Sequence, residues 1–212
     1  MLKKDIFKLY LESGIKTKLY LRVKLKICPF LKMENFFPKT GKFVDLGCGN
    51  GLFASVLKLG SPLREIVGFD LDHKKIEIAK KIQKNLSGLE FELGNIVDMD
   101  YPQGDVFSLV DVLYLIPFPK QEKILKKCHS ALKEDGLLII KEMDTKPAWK
   151  YGWNLVQETL AVKIIGFTLG EKFYFRSEAE YSRILTRLGF KVHPVKLDKG
   201  YWYPHIFYIC RK

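Results

Sequence analysis

Asp45 stands two residues before three alternate glycines, Gly47, Gly49 and Gly51, at the end of the apolar run Phe43-Val44-Asp45-Leu46. Glycines at every second position let the backbone turn sharply and lie against a ligand. Asn50 is a natural N-cap for a helix starting near Gly51, so that free amide N–H groups face the same ligand. A diphosphate site would want G-x-G-x-x-G, with the phosphates on the helix dipole. Here Leu52 follows Gly51, the third glycine comes one residue early, and Asp45 would repel a diphosphate. The acid suits a ligand that carries positive charge. A second acid, Asp70, ends the run Glu65–Phe69, 19 residues past Gly51. That is the length of one helix and one strand, so Asp70 emerges beside the glycine loop at the same sheet edge. Its carboxylate can accept two hydrogen bonds from a ribose diol. Nicotinamide enzymes use the same device, so Asp45 and the glycine spacing separate the two cofactor classes.

S-adenosylmethionine (SAM), with a sulfonium and an α-ammonium, fits this arrangement. Val44-Asp45-Leu46-Gly47-Cys48-Gly49-Asn50-Gly51 resembles the first motif of the class I SAM-dependent methyltransferases, and Val67-Gly68-Phe69-Asp70 the second. Phe91-Glu92-Leu93-Gly94-Asn95-Ile96 is similar to the adenine-contacting third motif. Residues 105–114 resemble the fourth strand and its catalytic loop, and residues 132–140 the turn into strand five. The resemblance spans about Gly41 to Lys212. It implies that Gly47, Cys48, Gly49, Asn50 and Gly51 shape the methionine pocket, mostly through backbone. It further implies that Asp45 and Asp111, with Val112, favour the ammonium, that Asp70 holds the ribose, and that Leu71, Asn95 and Ile96 flank the adenine. The product would be S-adenosylhomocysteine. Asn95 departs from the more usual Asp, keeping a carbonyl acceptor without the charge.

The elements that must position these residues alternate. Strands are predicted near 42–47, 65–70, 89–93, 105–112 and 136–142, and helices near 51–59, 73–85 and 119–132. Such alternation with short links argues a parallel sheet covered on both faces. Ser177-Glu178-Ala179-Glu180 is a capping box opening a helix that closes at Gly189. Residues 190–196 and 203–211 then flank a short turn and must pair antiparallel. Pro194 suits an edge strand. The expected fold is α/β: a doubly wound, seven-stranded, mostly parallel sheet in the family's order 3-2-1-4-5-7-6, with a C-terminal antiparallel hairpin.

Methyl transfer from a sulfonium is an in-line displacement that needs alignment and exclusion of water. An oxygen or nitrogen nucleophile can also need a base. Candidates sit at the carboxyl ends of strands four and five: Tyr114 as a substrate contact, and Glu142 or Asp144. Packing under the helix near Pro119 would equally account for Tyr114, and a salt bridge to Lys141 or Lys146 for the two acids. Of the histidines, His73 and His129 fall on helices, and His193 and His205 in the terminal hairpin. None is a compelling base. Asp111-Val112-Leu113-Tyr114 lacks the Pro-Pro pair of exocyclic-nitrogen base methyltransferases. No Pro-Cys nucleophile of the cytosine-C5 type follows strand four either. The stretch at about 145–176 carries Trp149, Tyr151, Trp153, Phe167, Phe173, Tyr174 and Phe175. In the family this stretch helps roof the substrate pocket, which suits an apolar or aromatic acceptor; base stacking and plain core packing are the rival accounts.

The 212 residues allow one domain plus an extension: a basic arm or substrate lid at 1–40 and a methyltransferase domain at 41–212. The longest nearly apolar run, Leu109–Phe118, is too short to cross a bilayer. Four cysteines at 28, 48, 128 and 210 form no metal-like cluster, so no metal is expected and a reduced, cytoplasmic setting is. Net charge is +12, and residues 1–26 hold eight Lys and Arg against Asp5 and Glu12, half of that total. The arm would touch anionic lipid or nucleic acid, or be simply solvated. Its shape is ambiguous: Leu2, Ile6, Leu9 and Tyr10 suit a helix, whereas Leu19, Leu21, Val23, Leu25 and Ile27 alternate like a strand. The expected function is SAM-dependent methylation of oxygen or nitrogen on a small, lipid-like or aromatic acceptor. The alternatives are an RNA methyltransferase and a SAM-binding regulator or partner subunit without activity.

Overall fold

The computed structural model describes residues 2–153 and 173–212. Seven strands form one sheet, β1 (Gly41–Leu46), β2 (Arg64–Asp70), β3 (Leu89–Leu93), β4 (Gly104–Val110), β5 (Leu132–Met143), β6 (Lys191–Lys196) and β7 (His205–Arg211). Their order is β3-β2-β1-β4-β5-β7-β6, as the sequence predicts. By compactness the chain divides into two units, Met1–Ser108 and Leu109–Lys212.

In the first unit β1 pairs in parallel with β2, Asp45 opposite Gly68, and β2 with β3, Asp70 opposite Leu93. Parallel neighbours need a helical crossover. Helix α4 (Leu52–Gly60) links β1 to β2 and α5 (His73–Gln83) links β2 to β3. Asp72 caps α5 by accepting the N–H groups of Lys74 and Lys75. At α4 the predicted cap is corrected: the N-cap is Gly51 in the left-handed region at φ 78°, with no side-chain hydrogen bond, and not Asn50. A glycine takes that conformation at no steric cost.

The arm is helical, with α1 (Leu2–Leu9), α2 (Ile15–Ile27) and the short α3 (Phe30–Met33). The strand-like alternation at 19–27 turns out to be two helix faces. Leu21 and Leu25, four apart, are buried on one face, and Leu19 and Val23 are exposed on the other. Fully buried Arg64 ties the end of the arm to β2. It donates to the carbonyls of Pro38, Leu57 and Phe37 and pairs with Glu34 at 2.8 Å. Desolvation pushes the Glu34 carboxyl up, but bonds from Lys39 and Arg64 outweigh it and hold the group below its ordinary range.

In the second unit α6 (Phe118–Ala131) runs into β5, which starts at Leu132, earlier than the predicted 136. Helix α7 (Glu178–Arg187) opens with the predicted capping box, Ser177 and Glu180 bonding reciprocally. β5 and β7 pair antiparallel, Glu142 opposite Ile206, and β6 lies antiparallel on β7 with Pro194 in the outermost strand. Among the described residues no helix is long and apolar enough to cross a membrane.

Candidate cofactor and acceptor sites

The glycine loop hangs from the end of β2. The N–H groups of Gly47 and Cys48 both donate to the Phe69 carbonyl, at 2.8 and 3.0 Å. Asp70 then receives the Gly49 N–H on Oδ2 at 2.7 Å and the Asp72 N–H on Oδ1 at 2.9 Å. One carboxylate thus fixes the loop and the turn after β2, with lone pairs left on each oxygen. The glycines divide their work. A Cβ on Gly49 (φ 57°) would meet nothing nearer than Lys75 Cδ at 4.0 Å, whereas a Cβ on Gly51 would stand 2.5 Å from Phe91 Cζ. The backbone at Gly49 therefore has open space beside it, whereas Gly51 lies directly against the Phe91 ring of β3.

Asp45 is buried beneath this loop. Its Oδ1 accepts the Ser108 hydroxyl at 2.6 Å, and its Oδ2 has no hydrogen-bond partner. Desolvation pushes the carboxyl up to about 6, with the neighbouring charge of Asp70 adding to the shift. A buried carboxylate oxygen without a partner costs free energy that a cationic group would relieve, so the residues present fit an ammonium-bearing cofactor. Leu71 and Leu93 are exposed at the ends of β2 and β3, and Ile96 is buried nearby in sequence. Asn95 is committed locally: its Oδ1 accepts the Val97 N–H and its Nδ2 donates to Asp98.

In the second unit the predicted residues come together around the start of the segment after β4. Asp111 has a left-handed φ of 54°, and its carboxylate pairs with Nζ of fully buried Lys141. The salt bridge foreseen for Glu142 or Asp144 is thus made by Asp111, which brings its own cation to the ammonium role expected of it. Glu142 Oε1 instead accepts the N–H groups of Val112 (3.3 Å) and Leu113 (2.8 Å). It is buried, and desolvation, with the nearby Asp111 charge, pushes its carboxyl up to about 8. Tyr114 is buried and stacks on Phe175 at 4.9 Å with the rings nearly parallel, and meets Phe173 at a tilt of 46° at 5.9 Å. Tyr151 meets Phe175 edge-on at 5.6 Å. Two predicted insert aromatics, Phe173 and Phe175, therefore meet the Tyr114 ring, and Tyr151 joins them through Phe175; Phe167 lies outside the described residues. Asp144 Oδ1 accepts the N–H groups of Thr145 and Glu178, tying β5 to the start of α7. His73 and His193 are exposed, and His129 packs edge-on against Phe190 at 4.9 Å. His205 is buried, stacked on Tyr203.

Three contributors lay beyond sequence reasoning. Ser108 is a small residue in an apolar strand, and only the pairing of strands brings it to Asp45. Leu93 falls within the third motif, but its exposure at the end of β3 is visible only in the structure. Tyr10 on the arm donates to the Asn50 carbonyl at 3.0 Å, a contact spanning 40 residues that no local signal announces.

This strand order and a glycine loop set between two acids define a class I methyltransferase domain. Over residues 38–187 the chain matches the family model described as a methyltransferase domain, and it belongs to the class I SAM-dependent methyltransferases, whose methyl donor is SAM. A stretch of 113 residues is 28% identical to carboxy-S-adenosyl-L-methionine synthase of Helicobacter pylori, covering 51% of this chain and 46% of that protein. Another of 102 residues is 37% identical to demethylspheroidene O-methyltransferase of Rhodobacter capsulatus, covering 48% of this chain and 25% of the relative. The matched stretch therefore spans less than half the length of these curated relatives. Among solved structures, magnesium protoporphyrin IX methyltransferase of Synechocystis, with S-adenosylhomocysteine bound, superposes with a TM-score of 0.68 at 18% identity. That match covers 98% of this chain and 94% of the other. The pyocyanin biosynthetic protein PhzM gives 0.73 at 18% identity, covering 97% and 61%. At such identities the likeness is one of fold.

Proposed function

We propose that this protein transfers a methyl group from SAM to an oxygen or nitrogen atom of a small organic acceptor, apolar or aromatic in character. The observation that carries this reading is the unpartnered, buried Oδ2 of Asp45 beneath the three-glycine loop. Bound SAM would supply a methyl group on a sulfonium, electrophilic without further activation. The chain's own residues then have three tasks. Asp45 holds the α-ammonium, and the loop Gly47–Gly51 accommodates the methionine part through its backbone. Asp70 orients the ribose with lone pairs that the loop leaves available, while Leu71, Leu93 and Ile96 give the adenine an apolar surround. The aromatic cluster of Tyr114, Phe173 and Phe175 supports an apolar or aromatic acceptor. Glu142, buried and bonded to the backbone just before Tyr114, is a positioning residue in this reading rather than a solvent-facing base. The names of the relatives agree with a small molecule as acceptor, one acting on demethylspheroidene and another on demethylmenaquinone. Four buried, free cysteines suit a reducing cytoplasm.

The test is isothermal titration of SAM, S-adenosylhomocysteine and NAD into the purified protein. Micromolar binding of both SAM species and none of NAD supports the reading and leads to an acceptor screen scored by methylated product. Binding of NAD instead, or silence toward SAM, overturns it. Turnover of RNA but of no small molecule would replace the acceptor class, and SAM binding without turnover would favour the regulator.

A further inference from the structure

We infer that the outward face of α2 docks this protein onto an anionic lipid surface. The helix contains no acidic residue. Leu21 and Leu25 bury its inner side, so the opposite side is fixed to face solvent. That side carries Ile15, Leu19 and Val23, which are 85%, 60% and 49% exposed, and Leu11 just ahead of the helix is 64% exposed. Spacing of four places the three on successive turns, a stripe about 12 Å long. At 100° per residue Lys16, Arg22 and Lys26 project on the same side as the stripe, between and beside its apolar residues; all three are exposed.

Three large aliphatic side chains in one exposed row oppose a merely solvated face, because a charged face gains nothing from them. A second copy pairing through this stripe would bring Lys16, Arg22 and Lys26 of each helix together, and like charges across an interface are costly. Nucleic acid would answer the charges but not the aliphatic row, and the helix's one aromatic, Tyr20, lies off the stripe. A bilayer with anionic headgroups satisfies both features at once. The aliphatic side chains enter the headgroup–acyl boundary, and the basic residues, on long flexible stems, reach the phosphates. Asp5, the acid of α1, is already near Lys8. The inference rests on α2 alone and does not depend on the cofactor reading.

Vesicle co-sedimentation tests it, with phosphatidylcholine alone and with a third of the lipid replaced by phosphatidylglycerol. The expected result is binding to the anionic vesicles only, weakened by salt. Two variants separate the contributions: Ile15→Ser with Leu19→Ser and Val23→Ser, and Lys16→Glu with Arg22→Glu and Lys26→Glu. All six positions are exposed, and circular dichroism checks that the fold is retained. Each triple variant should lose at least about tenfold in vesicle affinity. Equal binding to both vesicle types, binding to neither, or retention by either folded variant overturns the inference. Self-association abolished by the serine triple, or RNA binding that survives it while vesicle binding is absent, would assign the face to those partners and likewise overturn it.

Discussion

Asp45 and Asp70 are both acids at the head of the glycine loop, yet their surroundings give them different work. Asp70 accepts the backbone N–H groups of Gly49 and Asp72 and keeps lone pairs for a diol. Asp70→Ala should therefore weaken SAM binding by about 2–3 kcal/mol, the usual worth of hydrogen bonds to a charged group; titration calorimetry reads this, and wild-type affinity would remove Asp70 from the site. Asp45 is instead buried with one oxygen unpartnered and its carboxyl raised to about 6. An ammonium binds its ionised form, so below pH 6 the proton must leave before the cation can pair. The sign is fixed: SAM affinity rises as pH climbs from 5 to 7, with proton release on binding at the lower end. Asp45→Asn should bind more weakly and show a flat profile over this range. A parallel slope in that variant would place the titrating group elsewhere.

At the scale of the element, the turn from β1 into α4 is held from two sides. Phe91 on β3 fills the space that a Cβ on Gly51 would need, and Tyr10 holds the Asn50 carbonyl. Gly51→Ala combines a left-handed φ with a collision on an aromatic ring, and should destabilise the fold by about 3 kcal/mol. Phe91→Leu should recover part of that loss in a double-mutant cycle, because the collision is relieved while the backbone strain stays. Tyr10→Phe removes one buried hydrogen bond and should cost about 1–2 kcal/mol. A thermal melt reads both, and additive costs for Gly51 and Phe91 would show that the two do not touch.

For the whole molecule the raised carboxyls of Asp45 and Glu142 set how stability varies with pH. Each has a folded-state pKa above its ordinary value, from 3.8 to about 6 and from 4.5 to about 8, both through burial. Between those limits the unfolded chain has lost the proton that the folded chain retains. Their contribution to the unfolding free energy should therefore be fully present below about pH 3.8, and be lost progressively as pH rises to about 8. The slope is at most about 1.4 kcal/mol per pH unit for each group. Glu142→Gln keeps an acceptor for the Val112 and Leu113 N–H groups and should flatten the segment between pH 6 and 8. Denaturant melts at stepped pH measure this, and an unchanged slope would mean that Glu142 is already ionised in the native state.

The capping box of α7 and the cofactor class, from the acid and the glycine spacing, were legible in the residues themselves, and the strand order through the family motifs that they resemble. These are local or short-range properties, in which a residue's type limits its backbone or its immediate neighbours. The alternation in α2 was misleading for the same reason. Apolar residues at every second place mark a strand when one face is buried, but here Leu21 with Leu25 and Leu19 with Val23 lie on opposite sides of a helix. The rest came from packing in three dimensions: that Lys141 pairs with Asp111 rather than with Glu142, that Gly51 packs on Phe91, that Ser108 bonds one Asp45 oxygen and leaves the other unpartnered, and that Ile15, Leu19 and Val23 face solvent. Each depends on which distant segment occupies the neighbouring space. Burial and partner choice are set by that neighbour and not by the residue's own type.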